Sequence, residues 1–399
     1  MSATTPTSTM QKPRSALSAT APESGGRVEA LDVLRGIAIL GTLASNIWIF
    51  TAAIGADANR VIPEWLGDIS HWLPNGKFLG LLTIMFGIGL EIQRQAALRH
   101  GKKWPGTYPV RAGLLFVDGL LNYIFVVQFD VLRAYALTGL IVAFLLLTSE
   151  RVQWWFIGLF LTAHFALMAA TVTITANPAN DMGIDWTNTG TALEEEAGTG
   201  YWEGVLDTIR NIGAGFDINS EFFTIVMMGI GLFLLGAKLY RIGIFTPARR
   251  RLRYWLIGIG FLIAMPVDYI LSYVDIAGGM FSGHARYGAA VCVALGILAL
   301  VAEFYQHRTP GYIGRHLAFV GKMALTCYLL QNIIGVILQN TALRHDALAN
   351  VDNTLATYIA FTIISLLLIL FARLWLARFS RGPFELTWNW CYRKITRTR

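Results

Sequence analysis

The residues of this chain that could do chemistry are set inside long apolar runs. Two segments repeat one arrangement. In RVEALDVLRGIAILGTLASNIWIF (27–50), Arg35, Thr42 and Asn46 fall within about 40° of one another around a helix, and Asp32 lies at the edge of that face. Arg111, Asp118 and Asn122 fall within about 40° on a second segment. A guanidinium at such a position can hold an anion. Asp32 and Arg35 also suit a plain ion pair, and Asn46 suits an interhelical hydrogen bond. A second set of residues flanks other apolar runs. His71 precedes WLPNGKF, which ends on Lys77 and Phe78. Asp130 and Arg133 stand in QFDVLRAY, while Asp268, His284 and Arg286 border two later runs. A neutral imidazole such as His71 can remove a proton from an acceptor, and an ammonium such as Lys77 can polarise an acyl oxygen. Each of these residues suits an interfacial position by itself; together they supply a base, acids and anion partners at one level. His100, His307 and His316 lie in basic loops, His164 is mid-span and His345 is in another loop. No histidine pair has zinc spacing, and no phosphate-binding loop or nucleophile elbow is present.

The elements that position these residues follow from composition. Hydrophobic residues make up 55% of 399 and charged residues 14%, against roughly 25% charged in a soluble domain. Mean hydropathy is +0.51. Too little charge remains to cover a water-facing surface, which excludes a soluble domain, a disordered chain and a disulfide scaffold. Cys292, Cys327 and Cys391 read as free apolar side chains. A bilayer crossing needs about 20 apolar residues. Ten runs qualify: 33–54, 77–97, 110–127, 130–148, 154–174, 220–240, 254–273, 285–305, 317–340 and 355–377. The third and fourth are short and must form a tight hairpin. The chain is thus expected to be an all-α polytopic membrane protein of about ten transmembrane helices.

Five stretches organise it: a disordered tail (1–26), a first membrane half (27–174), an acidic extracytoplasmic loop (175–219), a second half (220–377) and a basic tail (378–399). The net charge of +7 reflects topology, with no nucleic-acid partner. Placing both termini in the cytoplasm assigns 26 of the 32 Lys and Arg residues to that side of the cell membrane.

Six stretches in order resemble the YeiB-like bacterial membrane proteins. They are RVEALDVLRGIAILGTLASN, KFLGLLTIMFGIGLEIQ, RAGLLFVDGLLNYIFVVQFDVLRAYALTG, GLFLLGAKLYRIGIF, GKMALTCYLLQN and RFSRGPFELTW. The resemblance covers roughly residues 27–390. The opening motif is also similar to that of the transmembrane acyltransferases, relatives of the lysosomal heparan N-acetyltransferase. That similarity implies transfer of an acyl group from a cytoplasmic acyl-CoA to an extracytoplasmic small-molecule, glycan or lipid acceptor. No metal is expected. A histidine after the first span is the base in those enzymes, and His71 is its counterpart by position. YeiB-like proteins usually carry a histidine near the outer end of the third span, where this chain has Asn122.

On this reading His71, Lys77 and Asp130 are catalytic, and Asp32, Arg35, Asn46, Arg111 and Asp118 bind the donor. Asn122, Arg133, Asp268, His284 and Arg286 meet the extracytoplasmic substrate. Membrane lipids and a second copy in a homo-oligomer are the other expected partners. Two further readings stay open: a transporter or flippase for a lipid-linked or anionic solute, with Asp118, Asp130 and Asp268 as ion sites, and a lipid-binding protein without turnover.

Overall fold

A computed structural model describes residues 24–52, 54–55, 60–175, 200–217, 220–273, 281–342 and 350–396. The tail to residue 23, most of the acidic loop and His345 lie outside the described residues. Every apolar run predicted above is helical, and no strand occurs among the described residues. The first half of the chain forms α1 (Ser24–Thr51), α2 (Glu64–Trp72), α3 (Lys77–Arg99), α4 (Tyr108–Phe125), α5 (Leu132–Leu145) and α6 (Glu150–Thr175). A short helix α7 (Tyr201–Arg210) precedes α8 (Glu221–Arg241). The remainder is α9 (Pro247–Tyr273), α10 (Ala285–Phe304), α11 (Tyr312–Lys322), α12 (Ala324–Ala342), α13 (Asn353–Leu376) and α14 (Pro383–Thr396).

The expected ten crossings resolve into fewer. Among the described residues seven helical stretches are long and apolar enough to cross a bilayer: α1, α2 with α3, α6, α8, α9, α10 and α13. The pair α11–α12 is bent by 86° at Met323 and counts as an eighth only if taken as one span. The hairpin falls short for two reasons. Helix α5 has 14 residues, about 21 Å of rise, against a hydrocarbon core of about 30 Å. Helix α4 carries Arg111, Asp118 and Asn122, which lower its apolar content.

Helices α3 and α8 form the centre, with Leu81, Ile84, Ile88, Phe233 and Leu234 fully buried. Helices α6, α9 and α13 form the rim and expose large apolar side chains outward, among them Trp155, Leu262 and Leu366. In water such a surface would drive aggregation; facing lipid it costs nothing. The protein is a membrane protein.

Between helices the packing relies on small residues. A Cβ on Gly321 would sit 1.8 Å from the Asp32 carbonyl oxygen, and one on Gly36 would sit 2.0 Å from that of Leu317. Helices α1 and α11 therefore meet backbone to backbone. Facing α9 and α10 each contain a π-helical segment, Ile259–Ala264 and Ala285–Ala289, and Gly260 lies against Gly296 between them.

Candidate functional site

The charged and polar side chains collect in four places. The first lies where α2 turns into α3. Gly76, at φ 73°, takes the left-handed backbone of that turn, and a Cβ there would strike the Arg286 carbonyl oxygen at 2.2 Å. The turn delivers Lys77, which is 2% exposed, to Asp268 of α9, with Nζ 2.5 Å from Oδ2. Trp72 Nε1 donates to the same oxygen at 2.6 Å. Lys77 also donates to the carbonyls of Trp72 at 3.0 Å and Asn75 at 3.3 Å, so all three ammonium protons are engaged. Arg286 joins the group by donating to Asn75 Oδ1 at 2.5 Å, and its other arm lies 3.5 Å from Glu221. The Tyr287 hydroxyl donates to Glu221 at 2.6 Å.

His71 stands at the end of α2, exposed, with its ring edge-on to Trp48 of α1 at 5.2 Å. Trp48 in turn meets Tyr358 of α13, which shares a hydrogen bond of 2.7 Å with Ser70. No hydrogen bond or ion pair links His71 to Lys77 or Asp130. His284 packs on Phe281 and shares no hydrogen bond or ion pair with Asn75 or Glu221.

The second place is the α4–α5 hairpin. Asp130, 3% exposed, accepts from Asn122 Nδ2 at 2.9 Å and from the Arg133 backbone N–H at 3.0 Å. The Arg133 guanidinium lies 3.6 Å over the Tyr123 ring and donates to the Gly215 carbonyl at 3.3 Å. Gly119 makes room, since a Cβ there would meet Asp130 Oδ2 at 2.6 Å. Asn122 thus does for Asp130 what a histidine N–H would do, but without a titratable ring. A cavity of about 110 Å³ opens beside this group, lined by Phe50, Tyr123, Gln128, Tyr201, Thr208 and Asn340 among others. Helix α7 covers it. The Tyr201 hydroxyl donates to the Phe125 carbonyl at 2.7 Å, and Gln128 donates to Thr208 at 3.2 Å.

The third place is the buried middle of the bundle. Gln331 of α12 is fully buried and its Nε2 reaches Thr42 Oγ1 of α1 at 3.5 Å, while its Oε1 has no partner. Asn46 is half-buried one turn further along α1. Asn332, next to Gln331, is also fully buried.

The fourth place gathers the basic ends of several helices. Asp32 and Arg35 pair at 3.2 Å; the Asp32 side chain is 9% exposed and that of Arg35 33%. Arg35 Nη2 passes Gly89 of α3, 3.9 Å from where a Cβ would be. Arg111 donates to Gln93 at 3.0 Å and lies over the rings of Tyr392 and Trp388 of α14, at 4.5 and 5.6 Å. It does not meet Asp118, which is half-buried and has no hydrogen bond or ion pair among the described residues. Glu91 is fully buried and accepts two bonds of 2.9 Å from Arg94 and one of 3.0 Å from Gln95.

The structure therefore joins Asp32 with Arg35, Asp130 with Asn122 and Arg133, and Lys77 with Asp268, Arg286 being linked through Asn75. His71, Asp118 and His284 stand apart from these pairs. Glu91, Glu221, Tyr287 and Gln331 escaped the sequence reading. Glu91 and Gln331 left a signal, each being a polar residue inside an apolar motif, GIGLEIQ and TCYLLQN. Glu221 and Tyr287 look like ordinary span-edge residues. Among the described residues no three His, Cys, Asp or Glu side chains converge as a metal site would need.

Residues 239–394 match the family described as "Protein of unknown function (DUF418)". The chain is 30% identical over 398 residues to "Uncharacterized protein YeiB" of Escherichia coli (strain K12), covering 92% of this chain and 95% of that one. It is 24% identical over 395 residues to "Uncharacterized protein YxaH" of Bacillus subtilis (strain 168), covering 91% and 93%. No solved structure matches.

Proposed function

The chain belongs to the YeiB-like family of bacterial membrane proteins, and we propose that it is a membrane acyltransferase that takes an acyl group from a cytoplasmic acyl-CoA to an acceptor on the other side. One observation carries the reading. Helix α1 bears Arg35 at one end, Thr42 and Asn46 along the same face, and at the other end Trp48 in contact with His71. Transfer across a bilayer needs an anion holder on one side, a base on the other and a polar line between them. Arg35, one-third exposed, offers its guanidinium to the phosphates of the donor. His71, exposed at the opposite end, takes the proton of an acceptor hydroxyl or amine as its oxygen or nitrogen bonds to the acyl carbon and the thiolate leaves. Lys77 and Asp130, with their protons and oxygens already engaged, act by holding the α2–α3 turn and the α4–α5 hairpin in place.

The test is turnover of labelled acetyl-CoA by the purified protein in proteoliposomes. The expected result is transfer or hydrolysis, falling at least about 100-fold in His71→Ala, the scale of a lost general base. Equal turnover in His71→Ala, or none in the wild type, overturns the proposal. The alternative, a transporter or flippase for a lipid-linked or anionic solute, draws on the paired charges Asp130–Arg133 and Lys77–Asp268 and on the bent pair α11–α12. Solute uptake without acyl turnover is its signature.

A further inference from the structure

The start of α6 carries a feature that neither reading uses. Lys238 of α8 is 5% exposed and pairs with Glu150 at 2.9 Å; Arg241 lies 3.5 Å from the same carboxylate. Glu150 itself is 72% exposed, so the buried cations have a partner that stands mostly in solvent. Arg241 lies 3.7 Å from Glu91, which Arg94 already holds. Arg151, the next residue of α6, is exposed and has no ion pair among the described residues. Three cations thus share two carboxylates, and Arg151 beside them adds an uncompensated charge, which leaves a net positive field. The same spot opens onto an apolar groove of about 760 Å³ on the rim, lined by Arg151, Trp154, Trp155, Phe156 and Leu159. Trp154 joins the two parts, since Lys238 Nζ lies 5.6 Å over its ring. Trp155 is 80% exposed and Leu159 59%. From Arg151 to Thr162 the groove follows α6 for about 16 Å, half the depth of a bilayer.

A cationic head joined to an apolar trough on a lipid-facing helix fits one kind of ligand. A soluble anion would have no use for the trough, and a neutral lipid none for the uncompensated cations. We infer that this face binds an anionic phospholipid, its phosphate between Arg151 and the Lys238–Arg241 pair and one acyl chain along Trp155 and Leu159. The inference does not depend on acyl transfer.

The experiment titrates the delipidated, detergent-solubilised protein with brominated phosphatidylglycerol or phosphatidylcholine and reads quenching of tryptophan fluorescence. The wild type is expected to bind the glycerol lipid at least about fivefold more tightly, and Arg151→Gln to lose about fivefold, the weight of one basic residue at an anionic headgroup. Arg151 is exposed and unpaired, so its variant should keep the wild-type thermal transition. Trp155→Phe is expected to remove part of the quenching, which locates the chain in the groove. Equal affinity for the two lipids, an unchanged preference in Arg151→Gln, or unchanged quenching in Trp155→Phe would overturn the site. So would displacement of phosphatidylglycerol by an equal concentration of inorganic phosphate, or a lipid-independent dimer that shields both tryptophans from quencher.

Discussion

Lys77 and Asp268 form a fully enclosed ion pair, with side chains 2% and 1% exposed. Removing one partner strands the other, at a cost of about 3–5 kcal/mol, so Lys77→Ala should sharply lower folded yield and the thermal transition. Lys77→Met with Asp268→Leu should recover much of the loss, because an apolar pair of similar size needs no compensation. Failure of that double variant to recover would mean the pair specifies the turn and does not merely fill it. Arg35→Ala should cost less than Lys77→Ala, since its guanidinium is partly open to solvent. A quieter residue lies before α13. Asp352 caps the helix by accepting from the Leu355 N–H at 3.0 Å, and it also accepts from the backbone of Ile62 at 2.8 Å and of Val61. The Ile62 N–H, with those of Leu355 and Val61, holds its carboxyl below the usual aspartate range. A lowered carboxyl pKa stabilises the fold above the ordinary value of about 3.9, and that contribution fades as pH falls through the folded value. Asp352→Ala should therefore lower stability by about 1 kcal/mol at neutral pH and flatten its acid dependence, as read from thermal melts across pH 3–7. The sequence exposed a pair close along the chain, Asp32 with Arg35. It hid Lys77–Asp268, whose partners are 191 residues apart, because no periodicity links them.

Hydropathy located the long apolar helices of the bundle but not α2, α7 or α14, and it could not show how one span breaks. Residues 317–340 read as one apolar run, yet the chain turns by 86° at Met323, since hydropathy sums across a bend. The break leaves the first N–H groups of α12 without helical partners. Glu385 of α14 supplies one: it accepts from the Thr326 N–H at 3.1 Å and the Thr326 hydroxyl at 2.5 Å. Two of the motifs quoted above, GKMALTCYLLQN and RFSRGPFELTW, thus meet at a helix terminus, where a carboxylate also complements the dipole. Glu385→Ala should loosen α14, which trypsin cleavage at Arg378 and Arg381 would report. Unaltered cleavage would mean that Trp388 and Tyr392 against Arg111 hold the helix alone. On the other side of the break, Gly321→Ala puts a methyl group into the Asp32 carbonyl and should cost about 3 kcal/mol or more. Gly113→Ala on α4, with nothing within 4 Å, should be neutral or stabilising by up to about 1 kcal/mol. Similar melts for the two would refute the close approach of α1 and α11.

At the scale of the molecule the basic ends of α3, α8 and α14 lie near Arg35, and the expected topology puts 26 of the 32 Lys and Arg residues on the cytoplasmic side. A cysteine at Glu203, exposed on α7, should react with impermeant maleimide in intact spheroplasts, whereas one at Arg393 should not. The reverse labelling would invert the topology. The all-α architecture and the polar stripe of α1 were legible because both rest on local composition and a single period. The contact of His71 was not, because Trp48 reaches it from a separate helix and is itself met by Tyr358 from a third. The clasp between Thr326 and Glu385 bears on how the protein is made. Its halves lie 59 residues apart, and the second is made only after α13. While the ribosome is still extending α13, the first turn of α12 has been built but lacks its cap. The bent span therefore matures only once α14 has been translated. A chain ending at Gly382 should insert all its membrane helices and still present α11–α12 to quality-control proteases.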